Sequence, residues 1–277
     1  MYGSILQLIT LYEIYTSLLM LTDIHSSNPF GVHLHSFLWE ILGHYPKGRH
    51  LDYGAYDGSM LAKLAASGRI AEGIGLEVNL EVIRANEQRM PGNVKLVHIV
   101  KGSTMPLPSA SCDSASIYGV LEHVVDQSAI LSEMHRVLNP GGPLVVAVPG
   151  RHLFSFLDLG NFKFRFPALH RYFYTKKYGA KTYHERYVEC KNGLFGDIEK
   201  EKMWHQHFSP KELASLLERN GFKVVKSDGM GFFGRVLMIL ELSVPGFLKG
   251  PLRSVRRKDM KSFRSAELLF LCEKVTS

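Results

Sequence analysis

Two glycines, Gly54 and Gly58, follow a short apolar run that contains Asp52, with Ala55 and Tyr56 between them. Glycine lets a chain turn sharply and lets its backbone approach a ligand closely. The helix start expected behind such a turn offers free N–H groups, which can hold a phosphate or a carboxylate. Glu77, 19 residues beyond Gly58, closes the next apolar run. An acid in that place can accept hydrogen bonds from both hydroxyls of a ribose. Strand, turn, helix, strand and terminal acid in this order predict a nucleoside cofactor. A dinucleotide fingerprint wants glycine where Tyr56 and Ser59 stand, because the pyrophosphate needs the room. NAD and FAD are therefore disfavoured, and a cofactor ending in an amino acid is favoured.

The remaining candidates are histidines. His123 lies just beyond an apolar strand pattern, and His205 and His207 open a late segment. A histidine near its ordinary pKa can take a proton from an acceptor hydroxyl, so these three are the candidate general bases. Glu122 with His123 also offers a pair of ligands to a divalent ion. His33, His35 and His44 have neither ligand spacing nor an acidic or cysteine companion, and no metal centre is expected.

These residues need elements to position them. Apolar runs bounded by turn residues predict strands over 50–54, 72–77, 94–100, 114–120, 144–148, 222–225 and 267–275. Helical periodicity covers 59–66, 80–89 and 129–138. A further helix begins at Pro210, with Ser209 as N-cap and Glu212 as its capping-box partner. Strands alternating with helices predict a parallel α/β sheet with right-handed crossovers. The rhythm breaks over 151–204 and again over 230–264.

The motifs resemble those of the class I S-adenosylmethionine-dependent methyltransferases. Leu51-Asp52-Tyr53-Gly54-Ala55-Tyr56-Asp57-Gly58 is similar to their first motif, and Glu77 falls at their ribose acid. Gly102-Ser103 with Leu107-Pro108 resembles the adenine-side loop. Val120 to Val124 resembles the segment after strand four, and Leu131 to Gly142 the helix and turn before strand five. The 208–213 and 220–222 segments resemble the late helix and sixth strand. The resemblance implies a Rossmann-like, doubly wound, mostly parallel seven-stranded sheet with an antiparallel last strand. It implies S-adenosylmethionine as cofactor, held by Asp52, Gly54, Ala55, Tyr56, Gly58, Glu77, Gly102, Ser103 and Tyr118. Tyr56 stands where many members have glycine, which implies a different approach of the loop to the cofactor. Ser103 stands where many have aspartate, which weakens a hydrogen bond to the adenine amine.

The expected activity is methyl transfer to an oxygen of a small molecule, a saccharide or a lipid-linked acceptor. The alternatives are a nicotinamide-dependent oxidoreductase and a non-catalytic protein that keeps the nucleoside pocket. Residues 48–277 would form the methyltransferase domain, preceded by a helical segment over 1–47. Insertions would cover the acceptor at about 151–204 and add an apolar and basic segment at 230–264. The 5–21 run is mostly apolar but carries Glu13 and a polar stripe, so it reads as an amphipathic helix rather than a membrane span.

Composition sets the bounds. At 277 residues, with 45% hydrophobic and 21% charged, the chain is globular and long enough to bury a large core. Its three cysteines, Cys112, Cys190 and Cys272, are far apart and odd in number, which suits a reducing compartment. The formal charge of +7 fits several anionic partners. No nucleic-acid module is recognisable, so nucleic acid is disfavoured. Apolar residues from Phe232 to Leu242 precede Lys249, Arg253, Arg256, Arg257, Lys258, Lys261 and Arg264. That juxtaposition suits either peripheral contact with the inner face of an anionic membrane by an otherwise cytoplasmic protein, or a lid helix or dimer contact.

Overall fold

The computed structural model describes residues 48–100, 102, 104–158, 161–189 and 204–275. The expectations for 1–47 and for Ser103 fall outside the described residues. Seven strands form one sheet: β1 (Arg49–Tyr53), β2 (Glu72–Glu77), β3 (Val94–His98), β4 (Ser114–Tyr118), β5 (Pro143–Pro149), β6 (Phe222–Met230) and β7 (Glu267–Lys274). Their spatial order is β3-β2-β1-β4-β5-β7-β6. β7 runs antiparallel to both neighbours, and the pairs from β3 to β5 are parallel.

Helices cover both faces. α1 (Ser59–Ala66), α2 (Leu80–Asn86) and α3 (Gln127–Val137) follow the first, second and fourth strands. Beyond β5 come α4 (Phe162–Arg165), α5 (Pro167–Tyr178) and α6 (Ala180–Tyr187), then α7 (Pro210–Arg219) before β6. Between β6 and β7 lie α8 (Gly234–Ser243) and α9 (Gly246–Ser262). On one face, Leu131, Met134 and Val137 of α3 and Leu213, Leu216 and Leu217 of α7 pack on Leu51, Ile117, Val146 and Phe270. On the other, Leu61 and Leu64 of α1 and Met260 of α9 pack on Val145, Ala147 and Leu269. β5 is buried along its whole length, as a strand covered on both faces requires.

The aperiodic 151–204 stretch does contain helices. They escape a periodicity search because α5 and α6 bury aromatic rings against one another: Phe173 and Tyr174 pack with Tyr178, Tyr183 and Tyr187. The 230–264 stretch is a helical pair tied down by one acid. Buried Asp259 of α9 accepts from the Phe232 and Phe233 amides at the entrance to α8.

Strand order reverses between β1 and β4. In open α/β sheets, ligands bind outside the carboxyl ends of the strands at such a switch point.

Candidate active site

At the end of β1 the chain folds back over β2. The Gly54 and Ala55 amides both donate to the Leu76 carbonyl, at 2.8 and 3.1 Å. Gly54 has φ 79° and Gly58 has φ 72°. A Cβ on Gly54 would stand 2.4 Å from Cγ2 of Val120, which follows β4. Tyr56 takes φ 49°, the conformation that glycine would adopt without cost and that strains a side chain. Its amide donates to Glu77 Oε2 at 2.9 Å, which helps to hold it there.

Glu77 is buried, and its other oxygen, Oε1, accepts from the Val78 and Asn79 amides at 2.8 and 2.9 Å. Burial raises its pKa, and these backbone hydrogen bonds oppose the rise.

Beneath the loop lies a polar ladder across β1 and β4. Parallel pairing sets His50 beside Ser114 and Asp52 beside Ser116. Ser116 Oγ donates to Asp52 Oδ1 at 2.7 Å. Its only proton is thereby committed, so Ser116 accepts from His50 Nε2 at 3.0 Å, and His50 Nδ1 accepts from Ser114 Oγ at 2.8 Å. Burial lowers the His50 pKa to about 4, so the ring is neutral. Burial also raises Asp52 to about 7, against the Ser116 hydrogen bond.

A second cluster gathers beyond β4 and β5. The backbone of His205 is clamped by Asn161: its amide donates to Asn161 Oδ1 at 2.8 Å, and its carbonyl accepts from Asn161 Nδ2 at 3.0 Å. Its ring stacks on His123, with centroids 4.7 Å apart. Asp158 Oδ2 lies 2.5 Å from His205 Nδ1 and 2.9 Å from His207 Nε2. On its far side, His205 Nε2 is 3.7 Å from Glu122 Oε1. Arg235 Nη2 stands 3.2 Å from His207 Nε2.

The two late histidines differ in charge. Burial lowers the His205 pKa, but Asp158 and Glu122 outweigh it and raise it to about 10. His205 therefore holds its proton at neutral pH. Burial lowers His207, Arg235 and His205 reinforce the drop, and Asp158 only partly offsets it. His207 is the neutral ring. Asp158 itself lies well below the usual carboxylate range, because the histidines and Arg235 overcome its burial. Buried Glu267 is pushed well above that range by desolvation and then by Glu122.

A family profile described as a methyltransferase domain matches residues 32–227, most of the chain. The chain belongs to the class I S-adenosylmethionine-dependent methyltransferases. Among curated relatives of this methyltransferase, a demethylmenaquinone methyltransferase of Geobacillus kaustophilus is 37% identical over 113 residues, covering 38% of this chain and 47% of that protein. A ubiquinone/menaquinone biosynthesis C-methyltransferase of Syntrophotalea carbinolica is 30% identical over 101 residues, covering 36% and 43%. The chain thus spans about half the length of the curated relatives it matches. A solved S-adenosylmethionine-dependent methyltransferase of Mesorhizobium loti has the same fold, with a TM-score of 0.52 and 15% identity over 85% of this chain and 97% of that one.

The methyltransferase cradle fits the family's cofactor. A carboxylate offers about four acceptor sites. Backbone amides take three at Glu77, and Oε2 keeps acceptor capacity for the ribose side. The Tyr118 hydroxyl is buried with no hydrogen-bond partner among the described residues. Burial, and then the charge of Asp52, push its pKa up. An amino-acid group arriving beside Tyr118 and Asp52 would satisfy both. Gly102, at φ 74°, is exposed with open space around it.

The structure also supplies residues that the sequence reading missed. Asp158, Arg235 and Glu267 complete the second cluster, and His50, Ser114 and Ser116 complete the ladder. Asp158 lies in the stretch without periodicity, and nothing local distinguishes it. The ladder residues alternate along two strands, a signal that becomes readable only when β1 is known to pair with β4.

Proposed function

We propose that this methyltransferase acts on a small hydroxylated acceptor with His207 as general base. The acid–base cluster beside the cradle carries this reading. When bound, S-adenosylmethionine supplies a methyl group on a positively charged sulfur, and a nucleophile takes it by direct displacement. The chain must therefore position the acceptor and take its proton. Glu77 and the 54–58 loop orient the ribose side. Asp158 Oδ2 and Arg235 Nη2 both meet His207 Nε2, the carboxylate accepting when that nitrogen bears the proton and the guanidinium donating when it does not. The neutral state of that ring suits it to receive an acceptor proton. His205, already protonated, serves to fix Asp158. Oxygen is the expected nucleophile. Deprotonating a ring hydroxyl also makes adjacent carbon nucleophilic, which is compatible with the quinone methyltransferases among the relatives.

A lipophilic or lipid-linked acceptor is favoured over a free saccharide by the surface of α9. Phe247, Pro251 and Val255 recur at i, i+4 and i+8, all exposed, and Lys258 continues the row. This supports peripheral membrane contact. Among the described residues, no helix is long and apolar enough to cross a membrane.

The test is S-adenosylhomocysteine release with a panel of hydroxyquinols, phenols, sugars and polyprenyl-linked compounds. His207→Ala should lower kcat by about 10²-fold or more with the active acceptor and leave cofactor affinity unchanged. Turnover equal to wild type would remove His207 from the role. Absence of release with every hydroxylated acceptor would count against the acceptor class.

A further inference from the structure

We propose that Glu122, His123 and His205 form a binding site for a first-row divalent metal ion of the zinc, cobalt or iron kind. Ligand atoms from these three residues lie within 4.8 Å of one another at the carboxyl end of β4. Imidazole nitrogens with one carboxylate suit such an ion, whereas magnesium prefers an all-oxygen shell.

Two observations point to an ion rather than to a closed hydrogen-bond network. Glu122 is 97% buried, and its Oε2 has no hydrogen-bond partner among the described residues. Its Oε1 stands 3.7 Å from His205 Nε2, too far for a good hydrogen bond. An ion about 2.1 Å from each atom would span that gap at an angle of roughly 120°. Entering there, it takes the place of the Nε2 proton.

The surroundings of His205 have the form of a metal site, while the His123 ring, stacked on it at 27°, must turn to aim its in-plane lone pair at the same ion. Asp158 holds His205 Nδ1 at 2.5 Å, the carboxylate–histidine arrangement that fixes a ligand's tautomer and ring direction. Asn161 clamps the His205 backbone. The neighbouring triad of Asp158, His205 and His207 also brings ligand atoms close. It is the poorer site, because Asp158 Oδ2 is already held by both rings and the Arg235 guanidinium touches His207. If methyl transfer proceeds as proposed above, the ion stands on the acceptor side, where an acceptor oxygen could complete its shell.

The experiment uses untagged full-length protein stripped with EDTA and titrated with Co²⁺, followed by Zn²⁺. It needs no turnover, so its failure is separate from a failure of the methyl-transfer reading. The expected result is one Co²⁺ per chain with visible absorption bands, displaced by one Zn²⁺. Glu122→Gln and His123→Asn should each weaken Zn²⁺ binding at least about 10²-fold, and Asp158→Asn about 10–100-fold. His98→Gln, remote on β3, should change nothing. Retained S-adenosylmethionine affinity shows that each variant is folded. Wild type that takes up well under one equivalent of either ion overturns the proposal without any variant. So does wild-type affinity in folded Glu122→Gln or His123→Asn. Loss confined to His207→Asn moves the ion to the neighbouring triad and overturns this assignment too.

Discussion

Glu77 and Asp52 are both buried acids at the cradle, and their surroundings give them different work. Glu77 spends three acceptor sites on the backbone and so fixes the strained Tyr56 loop. Glu77→Ala should weaken S-adenosylmethionine binding by about 1.5–3 kcal/mol, the scale of a hydrogen bond to a charged group. Calorimetry measures this, and unchanged affinity in folded protein would remove Glu77 from the site. Asp52 is raised by burial to about 7, above the roughly 3.9 of an unfolded chain. Between those values the folded state holds the extra proton. The contribution is therefore complete below about pH 4 and is lost as pH rises through about 7. Asp52→Asn removes this dependence. Urea midpoints of wild type and variant should shift in the variant's favour from pH 4 to 8, and a constant gap would contradict a protonated Asp52.

At the scale of elements, the α5–α6 pair is a small domain-like patch with its own core. Tyr174 is fully buried, with ring centroids 4.6 Å from Tyr178 and 4.8 Å from Tyr187. The aromatic residues that the sequence assigned to acceptor coverage thus spend much of their surface on one another. Exposed Phe166, Leu169 and Tyr172 are left to face outward. Tyr174→Ala should cost about 3–5 kcal/mol, as for other large aromatic truncations. The loss should be local: hydrogen exchange should accelerate across 167–187 and stay slow in α1 and α3. Uniform acceleration would show that this patch is part of the main core. The α7 cap contrasts with this patch, because Ser209 and Glu212 make the reciprocal bonds expected from their spacing.

For the molecule as a whole, the basic surface matters less by its sum than by its placement. Arg253 and Arg256 turn toward Glu241, at 2.6 and 3.7 Å, which tempers the basic run that looked uniform in sequence. The apolar row ending in Lys258, with Arg257 beside it, is the surface suited to a bilayer. Each basic side chain near an anionic surface is worth about 1 kcal/mol, and salt screens it. The protein should therefore sediment with anionic vesicles at low salt, bind neutral ones weakly, and be released at high salt. Phe247→Ser with Arg257→Gln and Lys258→Gln should abolish sedimentation and leave cofactor affinity intact. Wild type remaining in the supernatant with anionic vesicles would reject membrane contact.

The glycine turn and strand-end acid of the proposed cofactor cradle were legible as local features of the sequence. Gly54, Gly58 and Glu77 act through backbone conformation and strand ends, which local patterning encodes, and the strand–helix alternation carried the sheet with it. The antiparallel sense of the last strand came from family resemblance, and the order β5-β7-β6 was decided by the fold, since no local pattern fixes where a late strand joins the sheet. The proposed acceptor side was decided in three dimensions. His123 and His205 meet where Gln127 donates to Gln206, the Gln206 amide donates to the Glu122 carbonyl and Phe208 bridges to Gly150 at the end of β5. Asp158 then separates two histidines that look alike in sequence into one charged ring and one neutral ring. Charge state depends on what burial brings within a few ångströms, and those neighbours lie as far apart in sequence as Glu122 and His205.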